Sequence, residues 1–320
     1  MRPGCLTLLL GLLGTVFGIA SWAAGAEVSS PRHEVIAADR NQIYRFNPQG
    51  EVVWTFSLNS PLHCFQLLPN GNLLAQRKFQ ELVEIAPDGE IVWSYNSAVE
   101  NGNAGRKLEV HTFERLPNGN TLVVENGIGR VIEITPAKQI ARQFPYQVTK
   151  LNPHRDVRRA HMLKNGNVLI CHEADGRVVE YDPKGKIVWT YDVPLFGKLP
   201  QGGHGPEAWG NAVYNALRLP NGHTLIATGN GHSVLEVNST GEILWQVHQD
   251  DLPGIRLAWT TSLEVLPDGN VIIGNCHAGP NQPQLIEVNR NKEIVWTFHD
   301  NTVLGNDTAA SATIGEETLR

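Results

Sequence analysis

The sequence predicts an all-β fold, a six-bladed β-propeller with four-stranded blades that is closed by pairing of its N- and C-terminal strands. Three observations favour this fold. A turn motif recurs at intervals of 47 to 56 residues, a strand motif ending in an aromatic residue alternates with it, and no segment shows a sustained helical period. Units of this length with four short strands are typical of propeller blades, because one unit cannot bury both of its faces alone. We therefore expect one domain over residues 27–320.

The turn motif reads Leu-Pro-Asn-Gly-Asn or a close variant. Its glycines are 48, 47, 56 and 47 residues apart. Asn-Gly and Asp-Gly between short apolar runs favour tight hairpins, because both central residues can adopt φ > 0. The five copies predict the turn between the first and second strands of five blades, at residues 68–72, 116–120, 164–167, 219–223 and 266–270.

The strand motif consists of three successive elements. An apolar-Glu-apolar strand is followed by a second turn and then by an apolar strand with an aromatic residue. Second turns are marked by Pro-Asp-Gly at 87–89 and Pro-Lys-Gly at 183–185. We expect each aromatic residue to be structural and to fill the gap between neighbouring blades. Six copies give six outer strands, which carry Trp54, Trp93, Phe144, Trp189, Trp245 and Trp296.

The first unit, residues 33–57, begins at the second strand of a blade. Its missing inner strand can come from the segment 310–314 near the C-terminus. Such a closure would pair the two ends of the chain and remove open sheet edges.

The N-terminus has the pattern of a secretory signal peptide over residues 1–26. Arg2 is followed by an apolar stretch at 6–20 and by a small-residue cleavage site, and we expect cleavage after Ala26. No later stretch approaches the ~18 apolar residues that a membrane span needs. These features predict a secreted or periplasmic protein with no membrane span after cleavage.

The charge balance bears on the class of partner, and the positions of the cysteines bear on disulfide formation. Beyond residue 26 the chain has 25 basic and 32 acidic residues, which argues against nucleic acid as a partner. Cys64, Cys171 and Cys276 fall on three non-adjacent predicted blades, so we expect buried thiols rather than disulfides. We expect a monomer.

Strand order assigns the histidines to the two ends of the ring. The short turns after first and third strands share one end, and the long connections between blades share the other, where function concentrates on a rigid scaffold. Nine of the twelve histidines are predicted at the end with the long connections. The insertion 202–211 belongs to that end, and its glycines permit close approach of a ligand to the backbone.

The predicted function is binding of a small-molecule or carbohydrate-like ligand at this histidine-rich end, around the central channel. Two alternatives stay open: an enzyme (lyase, hydrolase or transferase) that uses a metal or a His/Glu acid–base pair there, and a protein-interaction scaffold. The candidate ligand-binding residues are His63, His111, His172, His204, Glu207, Trp209, Asn211, His232, Trp259 and His277. No cofactor is predicted outright; a divalent metal, if one is bound, would take its ligands from His111, His172, His204, His232 and His277.

The blade motif, with "LPNGN" followed by "LVEI" and "PDGEIVW", resembles two related groups of propellers: proteins with pyrroloquinoline-quinone-like repeats and bacterial arylsulfotransferase-like proteins. The stretch 202–288 also resembles exported bacterial six-bladed propellers of this repeat type. The resemblance implies the fold and the compartment. It does not imply a quinone, since the quinone enzymes of this group have eight blades and a pair of adjacent cysteines. The segment 208–212 lacks the histidine that the sulfotransferases use.

Overall fold

The computed structural model describes Met1 and residues 33–58, 60–315 and 318–320. The predicted signal peptide, apart from Met1, lies outside the described residues, and export stays a prediction. Within the described residues, no helix is long and apolar enough to cross a membrane.

In the part of the chain that the structure describes, twenty-four strands form six four-stranded antiparallel sheets, which confirms the predicted six-bladed propeller. Blade 1 contains β1 (Glu34–Asp39), β2 (Gln42–Phe46) and β3 (Val52–Ser57); blade 2 contains β4 (Phe65–Leu67), β5 (Leu73–Arg77), β6 (Glu81–Ile85) and β7 (Ile91–Asn96). Blade 3 contains β8 (Phe113–Arg115), β9 (Thr121–Glu125), β10 (Arg130–Ile134) and β11 (Ile140–Pro145); blade 4 contains β12 (Ala160–Met162), β13 (Val168–His172), β14 (Arg177–Tyr181) and β15 (Ile187–Asp192). Blade 5 contains β16 (Asn215–Arg218), β17 (Thr224–Ala227), β18 (Val234–Val237) and β19 (Ile243–Val247); blade 6 contains β20 (Trp259–Val265), β21 (Val271–Cys276), β22 (Leu285–Val288) and β23 (Ile294–Phe298).

The ring closes as predicted, through the last strand, β24 (Thr308–Ile314). This strand pairs antiparallel with β1 and supplies the inner strand of blade 1, with Val35 opposite Thr313 and Ala37 opposite Ser311. The strand begins two residues before the predicted segment. The first and last named strands, β1 and β24, therefore lie in one sheet and cover each other's edge.

The apolar core is divided among the gaps between blades. Seven clusters of buried residues are found in the described part of the chain, and six of them are each made by two neighbouring blades. The seventh is small and contains Tyr214, Trp259 and Cys276. Tyr95 and Tyr181 are among the largest side chains that are fully buried there. Cys64, Cys171 and Cys276 are free and buried, as predicted. Because each blade face is covered by its neighbour, the ring is rigid and its loops at the two ends are held in fixed positions.

The aromatic residues of the outer strands join successive blades. The indole N–H groups of Trp54, Trp93, Trp189 and Trp245 each donate to a carbonyl oxygen in the second turn of the next blade, at 2.9 to 3.2 Å. Phe144 has no N–H to donate, and it packs against Gly185 in the corresponding turn of blade 4. The predicted structural role of these residues is confirmed.

Candidate functional site

A cavity of about 580 Å³ opens at the histidine-rich end of the ring, where the long connections between blades converge. Four of its lining residues are histidines, and the others include three arginines, two carboxylates and one indole. The lining includes Arg40, His63, His154, Arg155, Arg158, Glu173, His204, Tyr214, Trp259, His277 and Asp307. We call this space the histidine cavity.

Tyr214 closes the histidine cavity towards the channel. Its phenolic oxygen lies 3.4 Å from the carbonyl oxygen of His63 in blade 2 and 3.2 Å from that of Ala309 in blade 1. Since Tyr214 precedes the inner strand of blade 5, its side chain spans the middle of the ring. A second cavity of about 670 Å³ lies beyond, at the opposite end. Burial raises the pKa of the Tyr214 phenol to about 12, so it stays a neutral hydrogen-bond donor.

Three histidines and one glutamate meet at the rim of the cavity, and we call them the rim cluster: His63, Glu109, His111 and His154. The Oε2 atom of Glu109 lies 2.8 Å from His111 Nε2 and 2.9 Å from His154 Nδ1. The Nδ1 atoms of His111 and His63 are 3.2 Å apart. The three imidazole rings pack edge to face at 4.6 to 5.8 Å between centroids.

Local backbone geometry explains how the rim cluster forms. Glu109 and His111 alternate along an extended segment that bridges to Asn126, so both side chains project to the same side while Val110 between them is buried. His154 comes from the next connection, between blades 3 and 4. The cluster thus joins two successive connections around the ring.

The rim cluster combines an ionised carboxylate with neutral imidazoles. Burial would raise the pKa of Glu109, but hydrogen bonds from His111 and His154 outweigh it and hold that pKa at about 2. Burial is the main cause that lowers the pKa of His111, to about 4, and it also lowers the pKa of His63 well below its usual value. At neutral pH both of these imidazoles are therefore uncharged.

A wall of rings faces the cavity from blades 5 and 6. The ring of His204 lies 5.0 Å from Trp259 and 5.1 Å from His277, measured between centroids. His277 Nδ1 is 3.2 Å from Asp307, which is 3.5 Å from Arg40. Burial lowers the pKa of His277, although the carboxylate of Asp307 opposes this shift. This wall offers flat apolar surface and several hydrogen-bonding groups.

A buried arginine adds positive charge. Arg158 is 7 % exposed and pairs with Glu173, which also lies 3.3 Å from Arg155. Its Nη1 atom is buried and has no hydrogen-bond partner. Three arginines and two carboxylates line the cavity. The neighbouring Arg159 lines the opposite cavity instead.

The structure brings four of the ten predicted ligand-binding residues together at the histidine cavity: His63, His204, Trp259 and His277. His111 joins them through the rim cluster, behind His63. The other five lie away from the cavity lining.

Two of the remaining predicted histidines are held by the protein itself. His172 is buried in blade 4 with Nε2 3.0 Å from the Tyr181 hydroxyl, and burial lowers its pKa to about 4. The ring nitrogens of His232 lie 2.7 and 2.5 Å from the carbonyl oxygens of Ala258 and Ala208. These contacts hold the insertion 202–211 against blade 5. The five predicted metal ligands therefore do not converge on one point. His204 and His277 meet, His111 lies in the rim cluster, and His172 and His232 lie elsewhere.

The remaining predicted residues support the same insertion. Trp209 is buried, donates to the carbonyl oxygen of Leu195 at 3.2 Å and has the Lys198 ammonium over its ring. Asn211 fits against Gly176, where any Cβ would overlap its amide. Glu207 is exposed, and its carboxylate occupies space that a Cβ on Gly203 or Gly205 would need. The insertion thus fixes the position of His204.

Eight residues of the site are not among the predicted ligand-binding residues: Arg40, Glu109, His154, Arg155, Arg158, Glu173, Tyr214 and Asp307. The alternation of Glu109 and His111 before an inner strand could have indicated a shared side. The pairing of Arg155 and Arg158 with Glu173 could not have been predicted from the sequence, because the two arginines precede the first strand of blade 4 and Glu173 follows the second.

Comparisons with known proteins agree with the fold. A family model described as outer membrane protein assembly factor BamB matches residues 39–201. A protein of unknown function from Bacteroides caccae has a similar structure, with a TM-score of 0.73, 22 % identity and coverage of 89 % of this chain and 99 % of that one. A catalytically inactive virginiamycin B lyase from Staphylococcus aureus, solved with quinupristin, has a TM-score of 0.56 at 12 % identity, covering 90 % and 93 %. A streptogramin B lyase has a TM-score of 0.55 at 12 % identity, covering 87 % and 85 %. No curated protein matches the chain.

Proposed function

The chain belongs to the family of pyrroloquinoline-quinone-like repeat propellers described as outer membrane protein assembly factor BamB, and on that scaffold we propose that it binds a small, acidic, carbohydrate-like ligand in the histidine cavity. The observation that carries the proposal is the unpartnered Nη1 of Arg158. The acidic group of the ligand would pair with this guanidinium.

A buried guanidinium N–H without a partner is costly, by about 1–3 kcal/mol or more for a charged group. Glu173 neutralises only part of the positive charge, because Arg155 shares the same carboxylate. A carboxylate or sulfate in the cavity would satisfy Nη1 and could be bound by two parallel hydrogen bonds. This favours an anionic ligand over a neutral one.

The rest of the ligand would lie against the wall of rings. His204, Trp259 and His277 present flat surfaces together with ring N–H groups. Such a combination suits a sugar ring, which has apolar C–H faces and hydroxyls at its edge. Tyr214 limits the depth to which the ligand can enter.

The test uses D-glucuronate as the acidic probe, D-glucose as its neutral counterpart and inorganic sulfate as the anion alone. We expect glucuronate to raise the melting temperature and to bind in calorimetry, and glucose to do neither. The variants Arg158→Gln and Arg155→Gln should lose the effect. Arg177→Gln, which removes an exposed arginine paired with Asp192 on the outside of blade 4, should keep it.

Equal effects of glucuronate and glucose would contradict the anionic class. Absence of any effect from glucuronate and sulfate would contradict the proposal as a whole. Stabilisation by sulfate alone would support the Arg158 anion site and reject the sugar.

A further inference from the structure

The rim cluster has the donor atoms of a divalent metal site. We propose that Glu109, His111 and His154 bind a divalent transition metal ion of the Zn²⁺ class at the mouth of the histidine cavity. This inference goes beyond the proposed function and does not depend on it.

The geometry carries the proposal. One ligand atom from each of Glu109, His111 and His154 lies within 4.8 Å of the others. Zn²⁺ is held at about 2.0–2.2 Å by imidazole nitrogen and carboxylate oxygen, so two atoms that share one tetrahedral ion lie about 3.3–3.6 Å apart. The Glu109 Oε2 atom lies 2.8 and 2.9 Å from the two imidazole nitrogens, roughly half an ångström less than a bound ion requires. Small side-chain movements would admit an ion.

His63 occupies the place of an orienting partner. A metal on Nε2 of His111 leaves the ring proton on Nδ1, which then donates to Nδ1 of His63 at 3.2 Å. Histidines that bind metals commonly donate their second ring N–H in this manner, which fixes the tautomer and the ring plane. Phe79 packs 5.7 to 6.0 Å from the rings of His63, His111 and His154 and shields the cluster on one side.

The fourth coordination position faces the cavity. The side chain of His154 is 49 % exposed, while that of His111 is fully buried. Two histidines and one glutamate with an open position make up the donor set of catalytic rather than structural zinc sites. The open position would accept water or an oxygen of a molecule in the histidine cavity.

A hydrogen-bonded network of the same side chains without an ion is the competing explanation, and metal titration separates the two. Protein without a histidine tag is stripped with EDTA, dialysed, and titrated with Zn²⁺ by calorimetry and with Co²⁺ by visible absorption. We expect one ion per chain and Co²⁺ bands of a four- or five-coordinate site with nitrogen and oxygen ligands.

Variants locate the ion. His154→Ala and Glu109→Gln should each weaken Zn²⁺ binding by more than about 100-fold, and His63→Ala by about 10- to 100-fold, because ligands contribute more than their orienting partners. His111 is too deeply buried for a clean test, and circular dichroism should show that the other variants fold. His299→Ala, which removes an exposed histidine at the same end of the ring, should bind as the wild type does.

Failure of stripped protein to bind Zn²⁺ and Co²⁺ would overturn the proposal, as would wild-type affinity in His154→Ala and Glu109→Gln. The glucuronate experiment is run on EDTA-treated protein. A failure of that ligand proposal therefore leaves the metal result standing, and a failure of the metal proposal leaves the ligand result standing.

Discussion

The side-chain amide of Asn167, the last residue of a turn motif, donates a hydrogen bond of 2.6 Å to the carboxylate of Glu180 in the third strand of the same blade. The same contact recurs in the other blades that have the turn, from Asn72 to Glu84, Asn120 to Glu133 and Asn270 to Glu287. In blade 5, His223 replaces asparagine opposite Glu236. The two motifs that revealed the repeat are therefore bonded to each other.

Replacement of Asn167 by alanine should lower the free energy of unfolding by about 1.5–3 kcal/mol, because it removes a hydrogen bond to a buried charged group. Glu180 keeps its contact with Arg218 at 2.8 Å, which limits the loss. Urea unfolding followed by circular dichroism measures the change. Lys164→Ala, at an exposed residue of the same turn, is the control, and equal midpoints for the two variants would contradict the assigned role.

Trp189 joins blade 4 to blade 5 by packing and by its N–H bond to the carbonyl oxygen of Ser239. Trp189→Phe keeps most of the packing and should cost about 1 kcal/mol, as expected for one hydrogen bond. Trp189→Ala should cost about 3–5 kcal/mol, since it also leaves a cavity. The measurement is again the unfolding midpoint. A phenylalanine variant as unstable as the alanine variant would show that the hydrogen bond, not the ring, dominates.

Removal of residues 308–320 should leave blade 1 with three strands and expose the edge of β1. An exposed edge promotes pairing with other chains. We expect lower stability and larger species in size-exclusion chromatography. Removal of residues 318–320 alone keeps β24 and should leave the elution volume unchanged. Normal elution and stability of the longer truncation would contradict closure by β24.

The buried His172 predicts a defined pH dependence. Burial lowers its pKa to about 4, whereas the pKa of an exposed imidazole is about 6.5. Between these values the unfolded state binds a proton that the folded state does not, so stability falls as pH decreases through this window. Burial also lowers the pKa of His161, which adds to this loss of stability at low pH. Burial raises the pKa of Glu114 to about 7, which has the opposite effect on stability.

His172→Gln should therefore reduce the slope of unfolding free energy against pH between about 4 and 6.5 by about one proton. Chemical denaturation at a series of pH values measures the slope. Tyr181→Phe removes the hydroxyl that contacts His172 but keeps the imidazole, so it is the matched control and should retain most of the slope. An unchanged slope in His172→Gln would contradict the assignment.

The candidate site was only partly predictable. Strand order placed His63, His204, Trp259 and His277 at the correct end of the ring, because the sequence shows which links between strands are short turns and which are long connections. It could not separate them from His172 and His232, which lie at the same end but turn into the protein. Side-chain direction at a loop depends on packing against a neighbouring connection, and that neighbour is set by the closed ring.

The sequence by itself determined the number of blades, the four-stranded unit, the closing strand and the buried thiols, because these follow from turn motifs repeated every 47 to 56 residues and from the blade positions that the motifs assign. Only the tertiary structure decided that Glu109, His111 and His154 share one point and that Arg158 has an unpartnered N–H inside a cavity. These groups come from two successive connections, one between blades 2 and 3 and one between blades 3 and 4. Their distances depend on the curvature of the ring and on the packing of one connection against the next, which no local pattern encodes.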